Sequence, residues 1–140
     1  MTLPDTTRAL VRAGLAELAG PVTLRYYTSD VDSWYSQAER GLLEEIRCAS
    51  PQVRLEIHAD RWDAKREEEV GIRRTPAIVV AGERDTGIRY YGLPDGYELE
   101  IFLGVLRTAA GGPSLLSRAS IARLGALPRP VHLEVVVSPT

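Results

Sequence analysis

Ser33 and Ser36 stand three residues apart where a polar segment, Thr28 to Ser33, gives way to a helical pattern opening at Trp34. Residues at that spacing share one helical turn. Two cysteines placed there could exchange disulfides. The helix macrodipole and the free N–H groups lower the pKa of the first thiol, and the second resolves the mixed disulfide. A hydroxyl can form no disulfide and is barely ionised near neutrality. The stretch Ser33-Trp34-Tyr35-Ser36 is therefore expected to be inert in thiol–disulfide exchange. Taken alone, Ser33 reads equally as a helix N-cap and Ser36 as an incidental helical residue. The chain has eight serines, so the spacing gains its weight from its place directly after the first strand. Trp34 and Tyr35 would lie in the exposed part of such a turn. Two readings stay open for them: contact with a partner, or packing of Tyr35 on the inner face of the helix.

The one cysteine, Cys48, lies near the end of the same helix. A single cysteine excludes a dithiol or disulfide within this chain. A helix C-terminus raises a thiol's pKa, so Cys48 reads as a small buried hydrophobe before it reads as a reactive group. The competing reading keeps Cys48 as the lone thiol of a glutathione-linked redox enzyme. His58 and His132 fall on the polar faces of strands without ligand partners at usable spacing. Two histidines and one cysteine leave no metal centre of the structural-zinc kind, and no cofactor is called for. Glu67-Glu68-Glu69 is expected to be a solvated helix face offset by Arg61, Lys65 and Arg66. The glycines of Gly92–Gly96 lack the Lys-Ser/Thr of a phosphate-binding loop and read as turn residues. No Ser/His/Asp or paired-carboxylate arrangement is visible. Thr75-Pro76 is the second constellation, because a cis bond before proline lies only ~0.5–1 kcal/mol above trans. The local pattern leaves cis and trans open.

Composition sets the frame for these residues. A chain of 140 residues that is 44% hydrophobic and 26% charged suits one globular domain, burying ~68–70% of its unfolded surface. Its formal charge of −2 lacks the footprint of a nucleic-acid binder. Lys65 is the lone lysine, and the arginines are scattered, which points to codon habit rather than function. No apolar run approaches the ~20 residues of a membrane-spanning helix. Met1–Gly20 carries Asp5, Arg8, Arg12 and Glu17 and is no signal peptide, so the expected location is cytoplasmic.

Periodicity supplies the elements. A helix is expected from Asp5, as N-cap, to Ala19, where Gly20-Pro21 stops it. Val22, Leu24 and Tyr26 alternate with Thr23, Arg25 and Tyr27 in a strand. A helix on Tyr35, Ala38, Leu42, Leu43 and Ile46 follows to Cys48, and Ser50-Pro51 breaks it. Val53–His58 is a second strand, Asp60–Val70 a charged helix. Thr75–Ala81 is a strand buried on both faces with Pro76 at its first position. Thr86–Tyr91 completes a hairpin. The last helix of the unit runs to about Ala110 on Leu99, Phe102, Leu103 and Leu106. Strand–helix–strand, hairpin, helix is the thioredoxin arrangement, a mixed four-stranded α/β sheet flanked by helices.

The chain then starts over. Ser114–Leu127 is helical, and Pro130–Ser138 reads as a strand. One offset relates Pro21, Val22, Leu24 and Ser29 to Pro130, Val131, Leu133 and Ser138, and the same offset relates Leu15 and Leu18 to Leu124 and Leu127. A unit recurring at one domain's length is a repeat signal. Residues 1–112 are thus expected to form one domain and 113–140 the helix and strand that begin a second. The strand 131–137 is expected to fold onto its own sheet or to swap into a second copy as a homodimer.

Thr75-Pro76-Ala77-Ile78-Val79-Val80 and Ile88-Arg89-Tyr90-Tyr91-Gly92-Leu93-Pro94-Asp95-Gly96-Tyr97-Glu98 carry a recognisable likeness. From about Leu10 to Thr140 the chain resembles the N-terminal unit of the glutaredoxin-like protein disulfide oxidoreductases, which fuse two thioredoxin-fold units. It is similar, more distantly, to the N-terminal domain of the alkyl hydroperoxide reductase flavoprotein, whose first unit lacks the Cys-x-x-Cys that the second carries. The resemblance implies a thioredoxin fold and a cis Pro76 facing the Ser33–Ser36 turn. It places Ser33 and Ser36 where a first unit can carry Cys-x-x-Cys. The closing Val135-Val136-Val137-Ser138-Pro139-Thr140 resembles the lead-in to the second unit's Cys-Pro-Tyr-Cys, which this chain does not contain. The implied role is a non-catalytic scaffold or partner-binding unit. Its expected partner is a protein: a thiol/disulfide substrate or the second thioredoxin unit, with no nucleic acid and no membrane. The alternative is an active oxidoreductase that uses Cys48 or a Cys-x-x-Cys beyond this chain's end.

Overall fold

A computed structural model describes residues 3–30, 32–59 and 63–138. The chain order is α1 (Asp5–Leu15), β1 (Val22–Tyr27), α2 (Trp34–Ala49), β2 (Val53–His58), α3 (Ala64–Val70), β3 (Ala77–Ala81), β4 (Asp85–Tyr90), α4 (Tyr97–Ala109) and α5 (Arg118–Gly125). The four strands form one sheet in the order β2-β1-β3-β4. β1 runs parallel to β2 and antiparallel to β3, and β3 is antiparallel to β4. This is the thioredoxin arrangement.

The register follows from side-chain alternation. Leu24 stands opposite Leu55 and Val80, and Tyr26 opposite Ile57 and Ile78. These residues share one face of the sheet. There they meet Val11 and Leu15 of α1, Leu42, Leu43 and Ile46 of α2, and Leu99, Phe102, Leu103 and Leu106 of α4 in the main core. The opposite face holds a smaller cluster of Tyr27, Ile72, Ala77 and Val79. β3 lies between β1 and β4 and is buried along its whole length, as an unbroken apolar run requires.

Several boundaries differ from expectation for local reasons. α1 ends at Leu15 rather than Ala19, and its N-cap is Pro4. Asp5 is instead a first-turn residue whose carboxylate accepts from Arg8. β3 begins at Ala77, so Pro76 precedes the ladder. β4 begins at Asp85, where the register slips against Val80 and Ala81. α3 begins at Ala64, capped by Asp63 accepting from the Arg66 N–H at 2.9 Å. Asp60, Arg61 and Trp62 of the expected helix lie outside the described residues.

The C-terminal part departs most. Ser114–Leu127 narrows to α5, capped by Ser117, with no buried residue. Pro130–Ser138 forms no strand: among the described residues it pairs with no ladder and is exposed throughout. A strand exists only through a neighbour's N–H and C=O groups. The slot between β2 and β3 is already filled by β1. The expected folding of 131–137 onto this chain's own sheet is therefore not what the structure has. No helix is long and apolar enough to cross a membrane among the described residues.

Candidate functional site

The site is built at the junction of β1 and α2. Asp30 organises the approach: the N–H groups of Asp32 and Ser33 both donate to its Oδ1 at 3.2 Å. Ser33 then takes an extended backbone, and its hydroxyl accepts from the Ser36 N–H at 3.2 Å. It is the N-cap of α2, satisfying one of the orphan donors of the first turn. Ser36 is 2% exposed. Its hydroxyl lies 3.1 Å from that of Thr28, which also bonds the Asp30 carbonyl at 3.2 Å. Both serine hydroxyls are thus engaged within the turn they start.

Thr75 and Pro76 come to the same place. The Thr75–Pro76 peptide is cis. The Thr75 hydroxyl lies 2.9 Å from the Ser29 hydroxyl, joining the loop before β3 to the loop before α2. Neither Thr75 nor Pro76 is buried. On the far side, the Tyr35 hydroxyl accepts from the Leu93 N–H at 2.6 Å. Tyr35 is therefore the tie between α2 and the segment after β4, and its hydroxyl lies 3.2 Å from the Cβ that a side chain would place at Gly92. Trp34 meets Tyr35 edge-on, with ring centroids 5.6 Å apart, yet remains 74% exposed. Trp34 is thus open to solvent at this end of the molecule, and Thr75 and Pro76 are partly so.

Beneath the turn lies a group that periodicity and spacing did not single out. Glu39 is 0% exposed. Its Oε2 accepts from the Tyr26 hydroxyl at 2.6 Å, and its Oε1 has no hydrogen-bond partner. Burial pushes the Glu39 carboxyl above the ordinary range, and the Tyr26 bond pulls it partly back. Burial, reinforced by Glu39, likewise raises the Tyr26 hydroxyl. A signal was available: Glu39 stands four residues after Tyr35 and three before Leu42, inside the apolar stripe of its own helix.

Other candidates lie elsewhere. Cys48 is exposed, not buried, because it stands on the outer side of the last turn of α2, with Arg47 Nη2 3.5 Å from its sulfur. His58 stacks on Tyr27 at 4.6 Å. His132 bonds Glu134 at 2.9 Å, far along the chain from the turn. Among the described residues no group of three His, Cys, Asp or Glu is placed to hold a metal ion. The rim of the cis-proline loop carries Arg73 and Arg74. The Arg73 N–H donates to the Tyr91 hydroxyl at 3.0 Å, and the Arg74 guanidinium sits 4.9 Å from the Tyr91 ring centroid.

No family model matches the chain, and no curated protein matches it. Solved structures do. The alkylhydroperoxide reductase AhpF from Enterococcus faecalis superposes with a TM-score of 0.76 at 22% identity, over 91% of this chain and 62% of that one. The NTD_N/C domain of the same protein gives the same values. A protein disulfide oxidoreductase from Aeropyrum pernix superposes with a TM-score of 0.74 at 21% identity, over 91% of this chain and 56% of that one. The fold is thus the thioredoxin-like fold of disulfide-oxidoreductase structures. The chain spans less than two thirds of the length of each structure it matches.

Proposed function

We propose that residues 1–112 are a non-catalytic thioredoxin-fold unit, that 113–140 begin a second unit, and that the chain serves a two-unit thiol–disulfide oxidoreductase as scaffold or partner-binding unit. One observation carries the reading. The hydroxyls of Ser33 and Ser36 occupy the helix-start position and are spent on the cap and on Thr28. A turn so arranged can present a surface, but it has no sulfur to donate or accept electrons. The groove beside Ser29, Trp34, Thr75 and Pro76 would be the contact for a protein partner. The largely apolar segment 131–137, which joins no strand ladder, would meet either the second unit or a second copy of this chain.

The test is dithiothreitol-driven insulin reduction. The chain should give no turnover above a boiled control, and turnover would overturn the reading. The Ser33→Cys/Ser36→Cys variant should oxidise to an internal disulfide, since the cap already holds the two positions on one turn. The exposure of Cys48 beside Arg47 favours a second reading, a lone-thiol enzyme. Iodoacetamide alkylation with an apparent pKa well below ~8.5 would favour it.

A further inference from the structure

The cis-proline loop enters its turn through two arginines, and the chain's own C-terminal segment reaches them. Arg73 is an exposed side chain whose Nη1 donates to Glu134 Oε1 at 3.0 Å. Arg74 leans on the Tyr91 ring. The bond from His132, together with the charges of both arginines, holds the Glu134 carboxyl below its ordinary range. Glu134 is carried on a stretch without ladder partners, flanked by Leu133 and Val135, each 83% exposed. In the structure, then, a carboxylate on an apolar segment is bonded to Arg73, two residues before Thr75.

We propose that Arg73 and Arg74 are the specificity element of this groove, recognising an acidic residue in an apolar partner segment, and that Glu134 fills the seat in cis until such a partner displaces it. The inference rests on the groove being a partner-binding surface. Charge complementarity selects the occupant. A guanidinium presents a donor fork to a carboxylate; a neutral segment offers it only the weaker bonds of uncharged oxygens, and a basic one repels it. The strength of the cis contact also fits exchange. Both partners are largely exposed, and such pairs hold weakly, so a partner with backbone and apolar contacts in addition can outcompete it.

The experiment uses the full chain and a fluorescein-labelled peptide copying residues 130–138, in a Glu134 form and a Glu134→Gln form. Anisotropy reads affinity, and amide shifts at Ser29 and Thr75 report the groove. In the Glu134→Gln chain the Glu peptide should bind about five-fold more tightly than the Gln peptide. It should also bind the Glu134→Gln chain more tightly than the unaltered chain. Adding Arg73→Gln together with Arg74→Gln should erase the preference, and because both residues are exposed the fold should survive it. Equal binding of both peptides, with shifts at Ser29 and Thr75, would overturn the carboxylate seat and leave the groove standing. Absence of binding by either peptide would overturn the groove and the seat together.

Discussion

Glu39 carries a carboxyl into the core. A carboxyl that is shut from water, with one oxygen bonded to Tyr26 and the other unpartnered, is favoured in its neutral form. Its folded-state pKa is raised above the unfolded value near ~4.3. Its contribution is therefore complete below the unfolded pKa and is lost as pH rises through the folded pKa. We expect Glu39→Gln to gain stability relative to the unaltered chain as pH rises from about 4, with the difference levelling off once Glu39 is ionised in the fold. Urea midpoints measured across that range check it, and a pH-independent difference would contradict it. Asp85 behaves in the opposite sense. Arg89 holds its carboxyl down to about 2, so its contribution is complete above the ordinary carboxylate pKa and is lost as pH falls from there through about 2. The Asp85 side chain is half open to water, which screens the pair and limits that contribution. Sequence showed where Ser33 and Ser36 would stand, because cap residues and periodicity are local properties. It did not show Glu39 meeting Tyr26, since only the packing of α2 on β1 brings them together.

At the scale of elements, the turn that carries the two serines is held by two other segments. The bond between Ser29 and Thr75 fixes the loop before β3, and Tyr35 fixes the segment after β4 through Leu93. The opposite end of the sheet is held by close backbone approach. A Cβ at Gly82 would stand 2.1 Å from the Ala109 carbonyl oxygen. Backbone cannot swing aside as a side chain can, so Gly82→Ala should push the β3–β4 turn from the end of α4. We expect a loss of about 1–3 kcal/mol in urea unfolding, with the four-stranded sheet retained by circular dichroism. An unchanged midpoint would mean that α4 yields freely there. The order of elements was legible because each carries its own period: two for β1 and β2, near 3.6 for α2 and α4, and an unbroken apolar run for β3. The ends were less so. α1 stops at Leu15 although Leu18 continues the pattern, because tertiary contacts rather than spacing decide the last turn.

At the scale of the molecule, one face of the sheet is packed under three helices and closes a full core, whereas the C-terminal part is open. Leu115, Leu116, Ile121, Leu124, Leu127 and the apolar residues of 131–137 are all exposed. Such a stretch is an interaction surface or a liability. In dilute solution, backbone amides of 131–137 should exchange with deuterium orders of magnitude faster than those of β1, which is central and buried. Equal protection would show that a second copy has paired with the segment, and light scattering would then report the dimer. Sequence by itself determined the element order up to α4 and the helix-start placement of Ser33 and Ser36, because periodicity and caps are written along the chain. Only the tertiary structure decided that Ser29 meets Thr75, that Glu39 is sealed beneath the turn, that Cys48 faces water, and that Glu134 reaches Arg73. It also decided that 131–137 is no strand here: a strand needs a neighbour's hydrogen-bonding groups, and the pattern of one segment cannot supply them.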